Sequence, residues 1–201
     1  MPAERVAGAA GSGYGGVMKM KLPGGLPGFP RIAMHGDEEW GCVFSEDRDD
    51  APFRYALWRI WDPKGPLWMY AMMNPADATH EVPDNTVSRC TERARQNGAG
   101  GVVVVNTGAY REQNPEIARA QADAAGQHNE DWVRALIPTC DIHIAAWGRD
   151  QLFPGAHENM KRIFREAGVA MKAIQLNKGG TPVHPSRKGK YHLPLVPFDL
   201  A

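Results

Sequence analysis

Four short segments with polar side chains follow hydrophobic stretches of the chain and are the first candidates for chemistry. They are Asn74-Pro75-Ala76-Asp77, Asn106-Thr107-Gly108, Trp147-Gly148-Arg149 and His184-Pro185-Ser186. An amide can position a water molecule, a carboxylate can accept a proton, and an imidazole can donate a hydrogen bond to developing negative charge. Together these groups suit a site that binds a polar ligand and activates water.

A basic segment overlaps the last of these motifs. Lys178, Arg187 and Lys188 lie in a glycine-containing stretch around Ser186, and we expect these four residues to contact phosphate. The alternative is an ordinary basic surface loop near the C-terminus. The whole chain has 23 Lys and Arg against 23 Asp and Glu. This balance excludes strong nonspecific binding of nucleic acid through an overall positive charge, so phosphate contacts must come from a local basic patch.

Length and composition are those of an ordinary globular chain. The 201 residues suit one domain, and 43% hydrophobic with 23% charged residues excludes a disordered, collagen-like or disulfide-dense protein. The three cysteines form no CxxC pair, which is typical of reduced thiols in a cytoplasmic protein. No stretch approaches the roughly 20 apolar residues of a membrane span, so we expect no membrane association.

The elements that must position the candidate residues begin after a glycine- and proline-rich segment. Residues 1–30 are expected to be a flexible arm, and residues 31–201 a single α/β domain. The pattern predicts strands at 53–60 (half-buried), 67–73, 101–105, 141–147 and 171–176, with helices at 86–97, 115–127, 129–136 and 158–167. Such alternation predicts a three-layer α/β/α sandwich with a mainly parallel central sheet. The four motifs would then meet at one sheet edge.

Motifs for common cofactors are missing from the sequence. The glycines at 98–101 precede a strand, so they fail the dinucleotide-binding pattern, and the chain has no Walker, HExxH or GxSxG motif. Cys140 and His143 alone do not make a closed metal site. We therefore expect neither a cofactor nor a metal.

The spacing of these motifs resembles the bacterial and phage family called domain of unknown function 1643. The resemblance runs from about Arg54 to Tyr191. Its marks are an arginine in the first strand, Asn-Pro, Asp-x-Thr, an asparagine after a valine-rich strand, and Trp-Gly. They occur here as Arg54 or Arg59, Asn74-Pro75, Asp84-Asn85-Thr86, Asn106 and Trp147-Gly148. An odd separation along the strand predicts that at most one of the two arginines faces a site.

The same order of motifs is more distantly similar to the uracil-DNA glycosylase superfamily. That similarity implies a glycosylase-like fold and hydrolysis of an N-glycosidic bond. Asn74 stands where the classical branch has a water-activating Asp, as in the mismatch-specific branch, and would position water. Asp77 or Asp84 would supply the carboxylate, and His184 would donate to the leaving base. The alternative interpretations are non-functional: Asn74 would be a turn residue, Asp77 and Asp84 solvated carboxylates, and His184 an exposed histidine.

The resemblance also implies a site for the base. Asn106 would pair with the edge of a base, with Thr107, Trp147 and Gly148 completing the substrate-binding surface. We therefore expect a protein that acts on a nucleobase in DNA or in a nucleotide by glycosylase-like hydrolysis. The alternative is a non-catalytic module of the same fold that binds nucleotides or nucleic acid, with a role in phage or mobile-element biology.

Overall fold

The computed structural model describes residues 33–36, 39–48, 50–186 and 194–201, so the expected arm at 1–30 lies outside the described residues. The strands are β1 Ala33–Gly36, β2 Trp40–Phe44, β3 Arg54–Ile60, β4 Leu67–Met72, β5 Gly101–Asn106, β6 Ile142–Ala145, β7 Met171–Ala173 and β8 Val196–Phe198. The helices are α1 Asn85–Gln96, α2 Pro115–Ala120, α3 Asn129–Leu136 and α4 Ala156–Glu166, with a short 3₁₀ helix at Ile137–Thr139.

The sheet is mixed, which corrects the expectation of a mainly parallel one. Within the described residues its strand order is β1-β2-β3-β5-β4-β6-β7-β8. The four strands β5-β4-β6-β7 are mutually parallel, but each remaining pairing, three at the β1–β3 side and one at β8, is antiparallel. The parallel block is the part built from strand–helix–strand crossovers. The antiparallel strands β1, β2 and β3 follow one another through short connections that need no crossover helix.

Helices cover both faces of the sheet and produce three layers. On one face, α1 packs Val87, Cys90 and Ala94 against side chains of β4 and β5. On the other, α3 and α4 pack against the alternate residues of the same strands, including Met69 and Val103. Strand β4 is buried along almost its whole length, as its continuous apolar run predicts. The α/β class is therefore confirmed.

Local signals explain where the helices begin and end. The side chain of Asp84 accepts a hydrogen bond from the backbone N–H of Val87 at 2.7 Å, which caps the start of α1. Gly98, with φ of 78°, follows its end. The expected helix at 115–127 is wrong beyond residue 120, because the chain leaves the helix at Gln121 with extended backbone angles.

Strand β3 differs from its expected form in two respects. It is buried at all seven positions instead of half-buried, because it lies between β2 and β5 inside the sheet. It also contains a bulge: Val43 pairs with Ala56 whereas the next residue, Phe44, pairs with Arg54, so Tyr55 is extra. The bulge reverses the alternation and lets both Arg54 and Arg59 donate to backbone carbonyls of the loop at 78–79.

Among the residues that the structure describes, no helix is both long enough and apolar enough to cross a membrane.

Gly108 permits a close approach of two backbone segments next to the end of β5. A Cβ atom there would overlap the carbonyl oxygen of Ala124 and the side chain of Leu152. We expect Gly108→Ala to lower the free energy of unfolding by about 1–3 kcal/mol through this overpacking. Gly179→Ala is the control, because a Cβ at that exposed position meets nothing within 4 Å and should change stability by less than about 0.5 kcal/mol. Equal urea midpoints for the two variants would contradict the assignment.

Candidate functional site

A cavity of about 430 Å³ lies beyond the carboxyl ends of β4 and β6. From β4 it is lined by Met72 and Asn74, and from the segment after β6 by Trp147 and Gly148. The chain leaves β4 for β5 on one side of it and later returns to β6 on the other side. Ligands of open α/β sheets bind at such a switch point, where diverging connections leave a crevice.

The amide of Asn74 is held in one orientation. Its Nδ2 donates to the carbonyl of Glu112 at 2.7 Å and to that of Pro75 at 3.1 Å. Both partners are carbonyl oxygens, so the amide nitrogen must face them, which leaves Oδ1 to accept a hydrogen bond from a ligand or water. An amide cannot take a proton as a general base, so Asn74 is suited to orienting a molecule rather than ionising it.

Asp84 brings a carboxylate to the same cavity. One oxygen, Oδ1, caps α1 through the N–H of Val87, and this contact fixes the side chain. Burial lowers the pKa values of both Arg54 and His184, and the negative charge of Asp84 partly opposes that lowering. Asp84 is thus the acidic member of a group with Arg54 and His184 around one cavity.

His184 has its two ring nitrogens in different roles. Nδ1 lies 3.2 Å from the backbone nitrogen of Ser186, which can only donate, and 2.8 Å from the Ser186 hydroxyl. Nδ1 therefore carries no hydrogen in the neutral ring, and the proton is on Nε2. Burial lowers the pKa of His184 from its ordinary value, which Asp84 partly opposes, so the ring is neutral at pH 7. His184 is a neutral hydrogen-bond donor through Nε2.

Two neighbours hold the loop that carries His184. Arg89 of α1 donates to the carbonyl of Ser186. Gly148 has φ of 90°, so a residue with a side chain would be strained there, and its Cβ would lie in contact with the Cβ of His184 at 3.4 Å. The segments after β6 and around His184 are thereby kept in contact at the cavity wall.

The remaining predicted base-binding residues divide between the cavity and the core. Trp147 lines the cavity but is 2% exposed, with its ring against His157 and Phe198. Thr107 is buried, and its hydroxyl donates to the carbonyl of Met73 at 2.7 Å. Asn106 is 1% exposed, lies beside Met72 in the sheet register and is not among the residues that line the cavity. The structure therefore does not bring Asn106 and Thr107 into the cavity.

Other predicted residues lie outside the cavity as well. Asp77 is exposed, accepts a hydrogen bond from Gln113 and lines an adjoining groove instead. Lys178 is exposed in a turn and is not part of the cavity wall. Arg187 and Lys188 lie outside the described residues, whereas Ser186 lines the cavity.

The structure adds charged residues that sequence reasoning missed as a site. Glu112 and Arg119 line the cavity, and Arg119 pairs with Asp150 at 3.5 Å. Both follow β5, so the strand-end rule applied further along that connection would have included them. Arg54 also lines the cavity and is 1% exposed. The sequence indicated Arg54 only as one of two candidates for the arginine that the family pattern has in its first strand. The bulge that turns Arg54 towards the cavity has no sequence signature.

Metal ligation has no support in the described part of the chain. No group of three or more His, Cys, Asp or Glu side chains there could hold a metal ion. Cys140 is beside Thr139, and His143 Nε2 lies 3.0 Å from the carbonyl of Ile137, so the two are separately engaged in the core.

A comparison with protein families returned one match, to the family described as protein of unknown function (DUF1643), over residues 54–186. This match confirms the first resemblance seen in the sequence. Neither the curated proteins nor the solved structures contained a significant match to the chain. The similarity to uracil-DNA glycosylases stays a prediction.

The ring of His184 gives a direct test of this geometry. We expect nitrogen-detected NMR of the ¹⁵N-histidine-labelled protein to show Nε2 protonated at pH 7, with a pKa below 6.5. The His184→Gln variant assigns the signal. Ser186→Ala should keep the same tautomer, because the backbone N–H at 186 still donates to Nδ1. A proton on Nδ1, or a pKa above 6.5, would contradict the assigned hydrogen bonds.

Proposed function

The chain belongs to the DUF1643 family, and we propose that it hydrolyses the N-glycosidic bond of a nucleobase in DNA or in a nucleotide. We infer with it a uracil-DNA glycosylase-like fold, supported by the three helix–sheet–helix layers and by motifs that gather at the end of β4 and β6. The cytoplasm is the proposed location.

The observation that carries the proposal is the meeting of three complementary groups in one cavity. Asn74 offers a fixed acceptor, Asp84 a carboxylate, and His184 a neutral N–H donor. Hydrolysis of a glycosidic bond needs an oriented water, a place for its proton and a donor to the charge that develops on the leaving base. These three residues match those needs one for one.

The reaction can be written in terms of these groups. The oxygen of water bonds to C1′ of the sugar as the bond between C1′ and the base nitrogen breaks, and the electron pair of that bond leaves on the base. Asn74 Oδ1 orients the water, and Asp84 takes up the proton that the water loses. His184 Nε2 donates a hydrogen bond to an oxygen of the departing base anion. The base anion then takes a proton from solvent and leaves as the neutral base, and Asp84 releases the proton it accepted to solvent.

Asp84 fits the carboxylate role better than Asp77. Both were equivalent candidates in the sequence, but Asp84 lines the cavity together with His184, whereas Asp77 is exposed and engaged by Gln113 outside it. The capping hydrogen bond uses only Oδ1 of Asp84, so its second oxygen remains to accept a proton.

A second function, binding without catalysis, is favoured by one specific observation. Asn74, whose amide is fixed in the cavity by two hydrogen bonds, cannot serve as a base. A nucleotide-binding or nucleic-acid-binding module needs only the acceptor and donor groups and not the carboxylate. Tight binding of a nucleotide with no release of base by the wild-type protein would favour this function.

Matched carboxamide variants test the proposed reaction. Asp84→Asn should reduce base release by about 10²–10⁴-fold, because the proton acceptor is lost while asparagine still caps α1. Asp77→Asn should leave the rate within a factor of about two. The measurement is mass spectrometry of free base from oligonucleotides and nucleotides that contain uracil, thymine opposite guanine, or hydroxymethylated pyrimidines.

His184→Gln provides a second, independent arm of the same assay. Loss of the Nε2 donor should lower the rate by about 10²–10³-fold. Circular dichroism and thermal unfolding establish that each variant is folded. Release that is equally affected by Asp77→Asn and Asp84→Asn would move the reaction away from the cavity, and release unaffected by His184→Gln would remove the leaving-group role.

A further inference from the structure

Arg54 is a buried cation whose hydrogen-bonding capacity is not filled. It is 1% exposed and forms part of the cavity wall. Nη1 donates to the carbonyl of Ala78 at 2.7 Å, but Nε has no hydrogen-bond partner among the described residues. A guanidinium has five N–H donors, and leaving the donors of a buried charge unmatched is costly unless another group supplies the acceptor.

The electrostatic environment of Arg54 favours the binding of an anion. Burial lowers its pKa to about 10, and the nearby charges of Arg59 and Arg111 act in the same direction. Asp84 opposes this shift but does not offset it. The protein therefore supplies less negative charge around this guanidinium than would compensate for its loss of water.

We propose that Arg54 binds the phosphate of a free nucleoside monophosphate in this cavity, and that this nucleotide, rather than DNA, is the substrate. The inference rests on the proposed function, since it selects one of the two substrate classes named there. Guanidinium and phosphate form short, charge-assisted and often bidentate hydrogen bonds, so a dianionic phosphate ester in the cavity would supply negative charge and acceptors to the Arg54 guanidinium.

The size and charge of the cavity favour a small nucleotide over a nucleic acid. A volume of about 430 Å³ lies in the range for small ligands, and Arg54 is in its wall rather than on an outer surface that a phosphate backbone could follow. Among its described lining residues, three arginines are matched by three carboxylates: Arg54, Arg119, Arg149, Asp84, Glu112 and Asp150. A polyanion gains little from such a balanced wall, whereas one terminal phosphate can interact with one buried arginine.

Arg59 is a matched control on the same strand. It is also buried, at 2% exposed, and it supports the same loop by donating from Nη2 to the carbonyl of Thr79. Its Nη1 donates to the carbonyl of Trp58, and it is not among the residues that line the cavity. Substitution of Arg59 therefore reproduces the structural loss of a loop-supporting arginine without removing the proposed phosphate contact.

The test compares binding of deoxyuridine 5′-monophosphate and thymidine 5′-monophosphate with that of the corresponding nucleosides by isothermal titration calorimetry. We expect the wild-type protein to bind the nucleotides at least tenfold more tightly than the nucleosides. Arg54→Gln should reduce this preference to less than threefold, and Arg59→Gln should retain it. Arg54→Lys, which keeps the charge but loses the planar fork, should give an intermediate preference and serves if the glutamine variant does not fold.

Base release from the same nucleotides, and from a single-stranded oligonucleotide with deoxyuridine, is measured in parallel. Nucleotide preference without release would support the phosphate contact and overturn the proposed hydrolysis. Release from oligonucleotides with no preference for nucleotides over nucleosides would keep hydrolysis and overturn the phosphate contact. Equal loss of preference in Arg54→Gln and Arg59→Gln, or tighter binding of the oligonucleotide than of the nucleotides, would also overturn this inference.

Discussion

Strand β4 is the point at which the connections of the parallel block change face, and the candidate site depends on that change. From β4 the chain crosses through α1 to β5, whereas the later connections through α3 and α4 lie on the opposite face. Because strand–helix–strand crossovers are right-handed, moving in opposite directions along the sheet places the helices on opposite faces. The segments beyond β4 and β6 therefore enclose a cavity instead of packing into the core.

Backbone beyond a strand end has no ladder partners, and buried side chains supply them here. Arg54 and Arg59 donate to the carbonyls of Ala78 and Thr79, and Asn74 donates to that of Glu112. Thr107 does the same for Met73. Unpaired buried carbonyls would be unfavourable, so these contacts stabilise the irregular wall. The polar residues at the strand ends can therefore either bind a ligand or satisfy buried backbone carbonyls. The sequence indicated only the first of these roles.

The difference between those tasks explains how far the sequence could be interpreted. Continuous apolar runs identified β4 and β5, and helical spacing identified α1, because those signals are local. Strands β1, β2 and β8 were not predicted. Trp40–Phe44 is short and contains Gly41, and β8 has a proline in a three-residue edge strand, where an N–H is not required.

Side-chain direction was harder to predict than element type. Asn74 follows the end of β4 and Asn106 is the last residue of β5, yet Asn74 lines the cavity whereas Asn106 lies beside Met72 in the sheet and does not. The outcome depends on where each strand leaves the sheet, and that is set by tertiary contacts. The bulge at Tyr55 likewise reverses the direction of the Arg54 side chain. The residue pattern of β3 does not indicate that the strand contains an extra residue.

Two features of His184 keep its ring a neutral hydrogen-bond donor rather than a charged imidazolium. Its Nδ1 accepts from the backbone N–H of Ser186, so adding a proton there would cost that hydrogen bond, and burial separately disfavours the imidazolium. A neutral donor can stabilise negative charge on a ligand without adding positive charge to the cavity. The positive charge near the ligand then comes from guanidinium groups, which remain protonated at any physiological pH. Hydrogen-bond donation and charge neutralisation are therefore assigned to different residues, and a ligand with a neutral polar end and an anionic end fits that division.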